Sequence, residues 1–272
     1  MQPAPSAAFF DLDKTLMEGS SGLYFARAAY RTGVISRRQL AHDVWRNLRF
    51  RLVGATDQQA EAVRERVLAN TAGVPRLQLA RLGPDIMAGV LPAVYPQMLR
   101  VAWDHQDAGR RSYIVTAASQ ELAEMLARVL VLDGGVGTSY EVHDGRYTGR
   151  LSGPFTYREG KAEALRLLAA SEGIDLSSSY AYSDSESDLP MLRAVEHPMA
   201  VNPDAELLRI ARAEGWEVLR FDRLRRRLRI ATAAGTVAFV GGGGDYLAGR
   251  LRDRSFRRRA FSRRGALSRL RS

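Results

Sequence analysis

The chain has 272 residues, 46% of them hydrophobic, with 40 basic and 30 acidic side chains and no cysteine. The hydrophobic share supports a sizeable core and excludes global disorder. The missing thiol excludes disulfides, thiolate catalysis and zinc–thiolate sites, so any metal must sit on oxygen or histidine ligands.

The N-terminal stretch MQPAPSAAFFDLDK has no basic n-region and only a short apolar run. It does not read as a secretory signal, and a cytoplasmic enzyme is the expectation. Residues 7–12 read as a buried strand. Residues 17–110 then look wholly helical. Ser36-x-x-Gln39 and Thr56-x-x-Gln59 resemble capping boxes. Gly33, Gly54 and Gly73 fall where helices should stop. About 75 residues of helix between two strands is far longer than a normal crossover. The segment therefore reads as an inserted helical cap, whose later helices return to the core near Pro92–Gly109.

The second strand is expected at 111–117 (RSYIVTA), followed by a helix starting at Ser119 with that serine as its cap. A third strand is expected at 137–142 (GTSYEV), with a hairpin at HDGRY, where Asp-Gly is a strong turn signal. EGKAEALRLLAASEG places Ala162, Leu165, Leu168 and Ala169 on one helical face and ends at a glycine. Strands are expected again at 179–184, 198–202 and 216–221. Strands alternating with helices argue for an α/β fold with a parallel sheet. The division expected is a core of residues 1–16 and 92–222, an all-helical cap at 17–91 and a basic tail at 223–272. There is no internal repeat.

The charge is concentrated in that tail. From Arg220 to Ser272 there are 16 arginines and three aspartates, a net of +13, so the chain total of +10 leaves the preceding residues at −3. The uncharged run from Ile230 to Gly244 has 15 residues and ends in four glycines, short of the roughly 20 a spanning helix needs. Arginine runs with interleaved Leu and Phe fit an anionic membrane surface or another polyanion, or a solvated disordered tail. A specific nucleic-acid partner is not expected.

The body carries the chemistry. In a strand, residues two apart face the same side, so continued strand geometry through 11–13 would point Asp11 and Asp13 together and Leu12 into the core. Both aspartates lie just past the carboxyl end of the first strand, where open parallel sheets bind ligands. Two carboxylates there suit Mg²⁺, which prefers oxygen ligands and retains waters. Thr116 ends the second strand ahead of a helix, where its hydroxyl and nearby N–H groups can meet an anion. Lys161 stands in a first helical turn, against the dipole preference unless it serves something else. In SDSESDLPML, Asp184, Glu186 and Asp188 repel one another unless a cation or lysine offsets them. Only two of the 40 basic residues are lysines, Lys14 and Lys161. A chain so biased toward arginine can keep a lysine where a compact ammonium is needed. The histidines, His42, His105, His143 and His197, lack ligand spacing and read as ordinary surface or core residues.

Taken in order, DLDKT, the Thr116 strand end, Lys161 and the acids Asp184 and Asp188 resemble the haloacid dehalogenase superfamily of phosphotransferases over about residues 7–205. The helical insertion after the first motif and the hairpin at HDGRYTGRL resemble its phosphoserine-phosphatase-like branch, subfamily IB. The resemblance implies that the sheet is Rossmann-like and that the protein is a Mg²⁺-dependent phosphomonoesterase acting on a small phosphorylated substrate. It implies Asp11 as nucleophile forming an aspartyl-phosphate and Asp13 as acid–base partner. Mg²⁺ would be held by Asp11, the backbone carbonyl of Asp13, and Asp184. Thr116 and Lys161 would bind phosphoryl oxygens, and Asp188 would orient Lys161 or the metal waters. Lys14 falls at a variable position of the motif and is unassigned.

Two departures from the branch stand out. The last motif is Ser183-Asp184-Ser185-Glu186-Ser187-Asp188 where phosphoserine phosphatases have a Gly-Asp-Gly-x-Asn-Asp string. Their cap-entrance glutamate, which meets the substrate amine, is matched here by Ser20, with Glu18 offset. Phosphoserine phosphatase proper therefore stands as the alternative reading, beside a phospholipid-related phosphatase or an anionic-surface binding protein using the tail.

Overall fold

A computed structural model describes residues 5–33, 61, 64–65, 67–69 and 71–220. Six strands form one parallel sheet. Its first strand, β1 (Ala7–Asp11), is buried at every residue, as a strand covered on both faces must be. The alternation of its side chains explains the two covers. Phe9 stacks on Tyr113 and joins a cluster with Leu165, Met191, Leu192 and Leu207. Phe10, one residue on, points to the other face and stacks on Tyr182 beside His105.

After β1 the named elements are helical until the chain returns to the sheet: α1 (Ser21–Arg31), α2 (Arg76–Ala80), α3 (Gly83–Val90), a 3-10 turn at Leu91–Ala93, and α4 (Pro96–Asp107). α1 packs on α3. The outgoing and returning chains are tied together, because Glu18 N donates to Ala93 O and Tyr95 N to Leu16 O, both at 2.8 Å. Gly33 and Gly73 sit at left-handed turns after helical segments, as expected. The capping boxes at Ser36/Gln39 and Thr56/Gln59, and Gly54, lie outside the described residues.

β2 (Arg111–Ser119) leads into α5 (Gln120–Val129), whose cap is Ser119, accepting from Leu122 N. One expectation is corrected here. The single strand expected at 137–142 is two. β3 (Gly134–Thr138) belongs to the main sheet, and β4 (Tyr140–His143) pairs with β5 (Arg146–Leu151) in a separate antiparallel hairpin turning at Asp144-Gly145. The run GGVGT has little side chain to show a period, and glycine is normally depleted in strands. Packing explains its presence, since a Cβ on Gly135 would lie 2.3 Å from the carbonyl carbon of Ala123 in α5. The hairpin also gathers the returning chain: Gly73 N donates to Tyr147 O, Tyr147 N to Val74 O, and Arg76 N to Gly145 O.

α6 (Glu159–Glu172) ends at Gly173 and buries Ala162, Leu165 and Ala169, with Leu168 partly buried beside them. The sheet is completed by β6 (Tyr180–Ser183), the short α7 (Leu189–Leu192), β7 (His197–Val201), α8 (Ala205–Ala213) and β8 (Glu217–Leu219). Successive strands run outward from β1 to β3 on one side and from β6 to β8 on the other. The order therefore reverses between β1 and β6, the place where sheets of this kind open a crevice at their carboxyl ends. The compact unit ends at Leu219. The expected tail, 223–272, lies outside the described residues. Among the described residues, no helix is long and apolar enough to cross a membrane.

Candidate active site

Strand register builds the site. Asp11 pairs with Val115, which places Thr116 one step beyond it on β2. Phe10 pairs with Tyr182, which places Ser183 level with Asp11 and Asp184 just past the end of β6. The expected residues of four separate motifs therefore converge at the reversal between β1 and β6. Asp11, Thr116, Lys161, Asp184 and Asp188 are all buried.

Lys161 is the centre of the charge network. Its ammonium donates to Asp11 Oδ1 at 2.5 Å and to Asp188 Oδ2 at 2.7 Å. α6 presents it from its first turn, and the loop before the helix fixes that start. Gly160 lies so close to Phe155 that an added Cβ would overlap the Phe155 carbonyl oxygen, and Arg158 adopts a left-handed φ of 51°. Glycine is needed where backbone approaches backbone this closely. Asp188 is held from a second side by Ser183, whose hydroxyl donates to Asp188 Oδ2 at 2.7 Å.

Asp13 does not continue the strand, which ends at Asp11. Leu12 is buried, as expected, while Asp13 is half-buried and turned toward the first helix. Asp13 Oδ2 accepts from Ser20 Oγ at 3.0 Å, and Oδ1 accepts from Ser21 N at 2.8 Å. The carboxylate thus takes an N–H at the start of α1, while Ser20, in the cap position, makes no side-chain bond to that helix. Thr116 Oγ1 accepts from Ala118 N at 3.2 Å, which orients it near the carboxyl end of β2, where the register with β3 shifts.

The acids outnumber their counter-charges. Burial pushes the Asp11 carboxyl up to about 8; Lys161 pulls against this, and Asp188, Asp184 and Asp13 add to it. Burial likewise raises Asp184 to about 6, offset most by Lys14, whose ammonium lies 3.2 Å from Asp184 Oδ2. Lys161 is held above the usual lysine range by Asp11 and Asp188 despite its own burial. Three buried aspartates, Asp11, Asp184 and Asp188, face one buried lysine, Lys161, and the half-exposed Lys14, so full ionisation of the carboxyls leaves negative charge in surplus. An oxygen-only donor set with that surplus fits a hard divalent cation. Among the described residues, no three His, Asp or Glu side chains gather as a metal cage on their own. The fit therefore rests on two carboxylates, Asp11 and Asp184, with a backbone carbonyl at Asp13, whose side chain is engaged elsewhere.

Three contacts were not legible from the motifs. Ser183 stands at a strand end with no spacing to mark it. In the sequence Ser20 is marked only by standing where a glutamate is expected, and Lys14 only by its rarity at a variable position of the motif.

Fold and site together define an enzyme built on a parallel α/β sheet, with its buried carboxylates at or near the strand ends. The chain belongs to the haloacid dehalogenase-like hydrolase family, whose model matches residues 8–193. It is 40% identical over 228 residues to the inhibition of morphological differentiation protein of Streptomyces azureus, covering 83% of this chain and 82% of that protein. It is 36% identical over 240 residues to phosphoserine phosphatase SerB1 of Mycobacterium tuberculosis, covering 88% and 78%. A crystal structure of a protein of unknown function from Bordetella pertussis superposes with a TM-score of 0.68 at 34% identity, covering 80% of this chain and 99% of that one.

Proposed function

We propose that the protein is a Mg²⁺-dependent phosphomonoester hydrolase that works through an aspartyl-phosphate on a small phosphorylated metabolite. The observation that carries the reading is the buried Asp11–Lys161–Asp188 chain at the reversal between β1 and β6. A carboxylate oxygen of Asp11 attacks phosphorus, and the bond from phosphorus to the ester oxygen breaks. Asp13 gives its proton to the leaving oxygen and, as a carboxylate, then takes a proton from water. That water's oxygen attacks phosphorus, the bond to Asp11 breaks, and inorganic phosphate leaves. Lys161 and Thr116 hold the phosphoryl oxygens, where negative charge spreads during transfer. Asp188, steadied by Ser183, keeps Lys161 aimed. Asp11, Asp184 and the Asp13 carbonyl would hold Mg²⁺, which supplies positive charge between two anionic reactants.

Residues 17–91 act in this reading as the cap that selects the substrate. The name of SerB1 favours phosphoserine as a second reading. The direction of Ser20 opposes it, because its hydroxyl is committed to Asp13 rather than open to a substrate amine. The tail at 223–272 supplies an anionic-surface contact to an otherwise cytoplasmic enzyme, which would suit a phospholipid-related phosphate.

Magnesium-dependent phosphate release from a generic aryl phosphate should fall at least about a thousandfold in Asp11→Asn. Activity surviving that change sinks the nucleophile assignment. A panel containing phosphoserine and lysophosphatidic acid separates the substrate readings. Salt-sensitive binding to anionic vesicles, lost on deleting residues 223–272, tests the tail. Equal affinity for duplex DNA would reduce it to nonspecific attraction.

A further inference from the structure

The two lysines of the chain both face the aspartates, but in opposite ways. Lys161 has a side chain only 4% exposed and two short bonds. Lys14 has a side chain 50% exposed and makes a 3.2 Å contact with Asp184 Oδ2. The first cannot leave without opening the core. The second can swing into water on its four-carbon stem, since an ammonium is strongly hydrated and its stem flexible.

The backbone aims Lys14. It sits at φ 60°, a left-handed position in the turn that follows β1, where glycine would rest without strain. The turn is tied by Leu16 N donating to Asp11 O and Leu12 O, and by Met17 N donating to Leu12 O. A residue placed there against its backbone preference presents an ammonium to Asp184, a buried acid that Lys161 does not bond. A single positive charge beside a cation ligand opposes a second cation at the same carboxylate.

We infer that Lys14 is the internal counter-ion of Asp184, and that a divalent cation entering the site must displace it. This rests on the metal reading above. Lys14 then sets a threshold for metal occupancy: at low Mg²⁺ the Asp184 carboxylate is paired with a tethered ammonium, and the site fills only when free cation outcompetes it. The ammonium so released stands at the mouth of the crevice.

The test uses the full chain and Mn²⁺, whose binding is read by electron paramagnetic resonance without turnover. Lys14→Met should bind Mn²⁺ at least about tenfold more tightly than wild type. Lys14→Gly, which also removes the left-handed strain, should do the same, and Lys14→Arg should stay near wild type. In EDTA, Lys14→Met should melt below wild type, and its gain in melting temperature on adding Mn²⁺ should be the larger. Unchanged or weaker Mn²⁺ binding in both Lys14→Met and Lys14→Gly overturns the inference while leaving the metal reading intact, provided Asp184→Asn loses the ion. Mn²⁺ binding that is absent in wild type, or unaffected by Asp184→Asn, overturns both.

Discussion

β1 and β6 carry two buried polar clusters, and they differ in kind. At the carboxyl ends of the strands, Asp11, Asp184 and Asp188 are gathered with Lys161 and leave negative charge in surplus. On one face of the same strands, His105 of α4 lies against Phe10, Tyr180 and Tyr182 and is fully satisfied. Arg110 Nε donates to its Nδ1 at 2.7 Å, which leaves Nε2 carrying the proton toward Tyr182 Oη at 2.8 Å. The Arg110 guanidinium also lies over the Tyr180 ring. A buried network that closes on itself serves the fold, because every group has its partner. A buried network that does not close stores unfavourable charge, and such clusters are where chemistry is found.

Three changes test that contrast. The largest effect is expected for Lys161→Met, which strands Asp11 beside Asp188 without their shared cation. It should lower stability by about 3–5 kcal/mol, read from the urea midpoint, because a broken buried pair leaves uncompensated charge. Phosphate release should fall by roughly two to three orders of magnitude as well. Lys161→Arg should rescue stability better than activity, since the planar fork does not reproduce a compact ammonium.

The second change is His105→Gln. Burial and the Arg110 charge hold His105 down at about 4, against an ordinary 6.5. The unfolded chain takes up a proton below 6.5 while the folded protein resists until about 4. The stabilising contribution of the neutral ring is therefore complete above 6.5 and is lost as pH falls through that window. It amounts to about 3 kcal/mol at the acid limit. Wild type should lose urea stability more steeply than His105→Gln between pH 6.5 and 4. Parallel curves would mean that His105 titrates normally.

The smallest effect is expected for Ser20→Ala. It removes a hydrogen bond to Asp13 but no helix cap, so stability should move by less than about 1 kcal/mol. The catalytic rate constant should drop several-fold with KM unchanged, and Ser20→Thr should restore it. A rise in KM alone would place Ser20 at the substrate instead.

Much of the scaffold was readable in the chain. The β1 run, the helix ending at Gly173 and the Asp-Gly hairpin each carry local signals that survive in the fold, because burial period, capping and turn geometry act over a few residues. β3 did not, since its Gly-rich run is shaped by the approach of α5 rather than by its own periodicity. The same division runs through the site. Asp11, Thr116 and Asp184 are marked by type and by position near strand ends, Lys161 by its rarity and its place in a first helical turn, and Asp188 by the run of acids it closes. The hydroxyls of Ser183 and Ser20 are not, because nothing local distinguishes a serine that supports an aspartate from one in a turn.

The sequence by itself determined the alternation of strands and helices, though not the division between β3 and β4, and the cluster of acids near the strand ends. Only the tertiary structure decided who holds whom: Lys161 between Asp11 and Asp188, 150 and 27 residues away, and Lys14 on Asp184, 170 residues away. Strand register and the left-handed turn at Lys14 set those pairings, and neither is a property of a short stretch of chain.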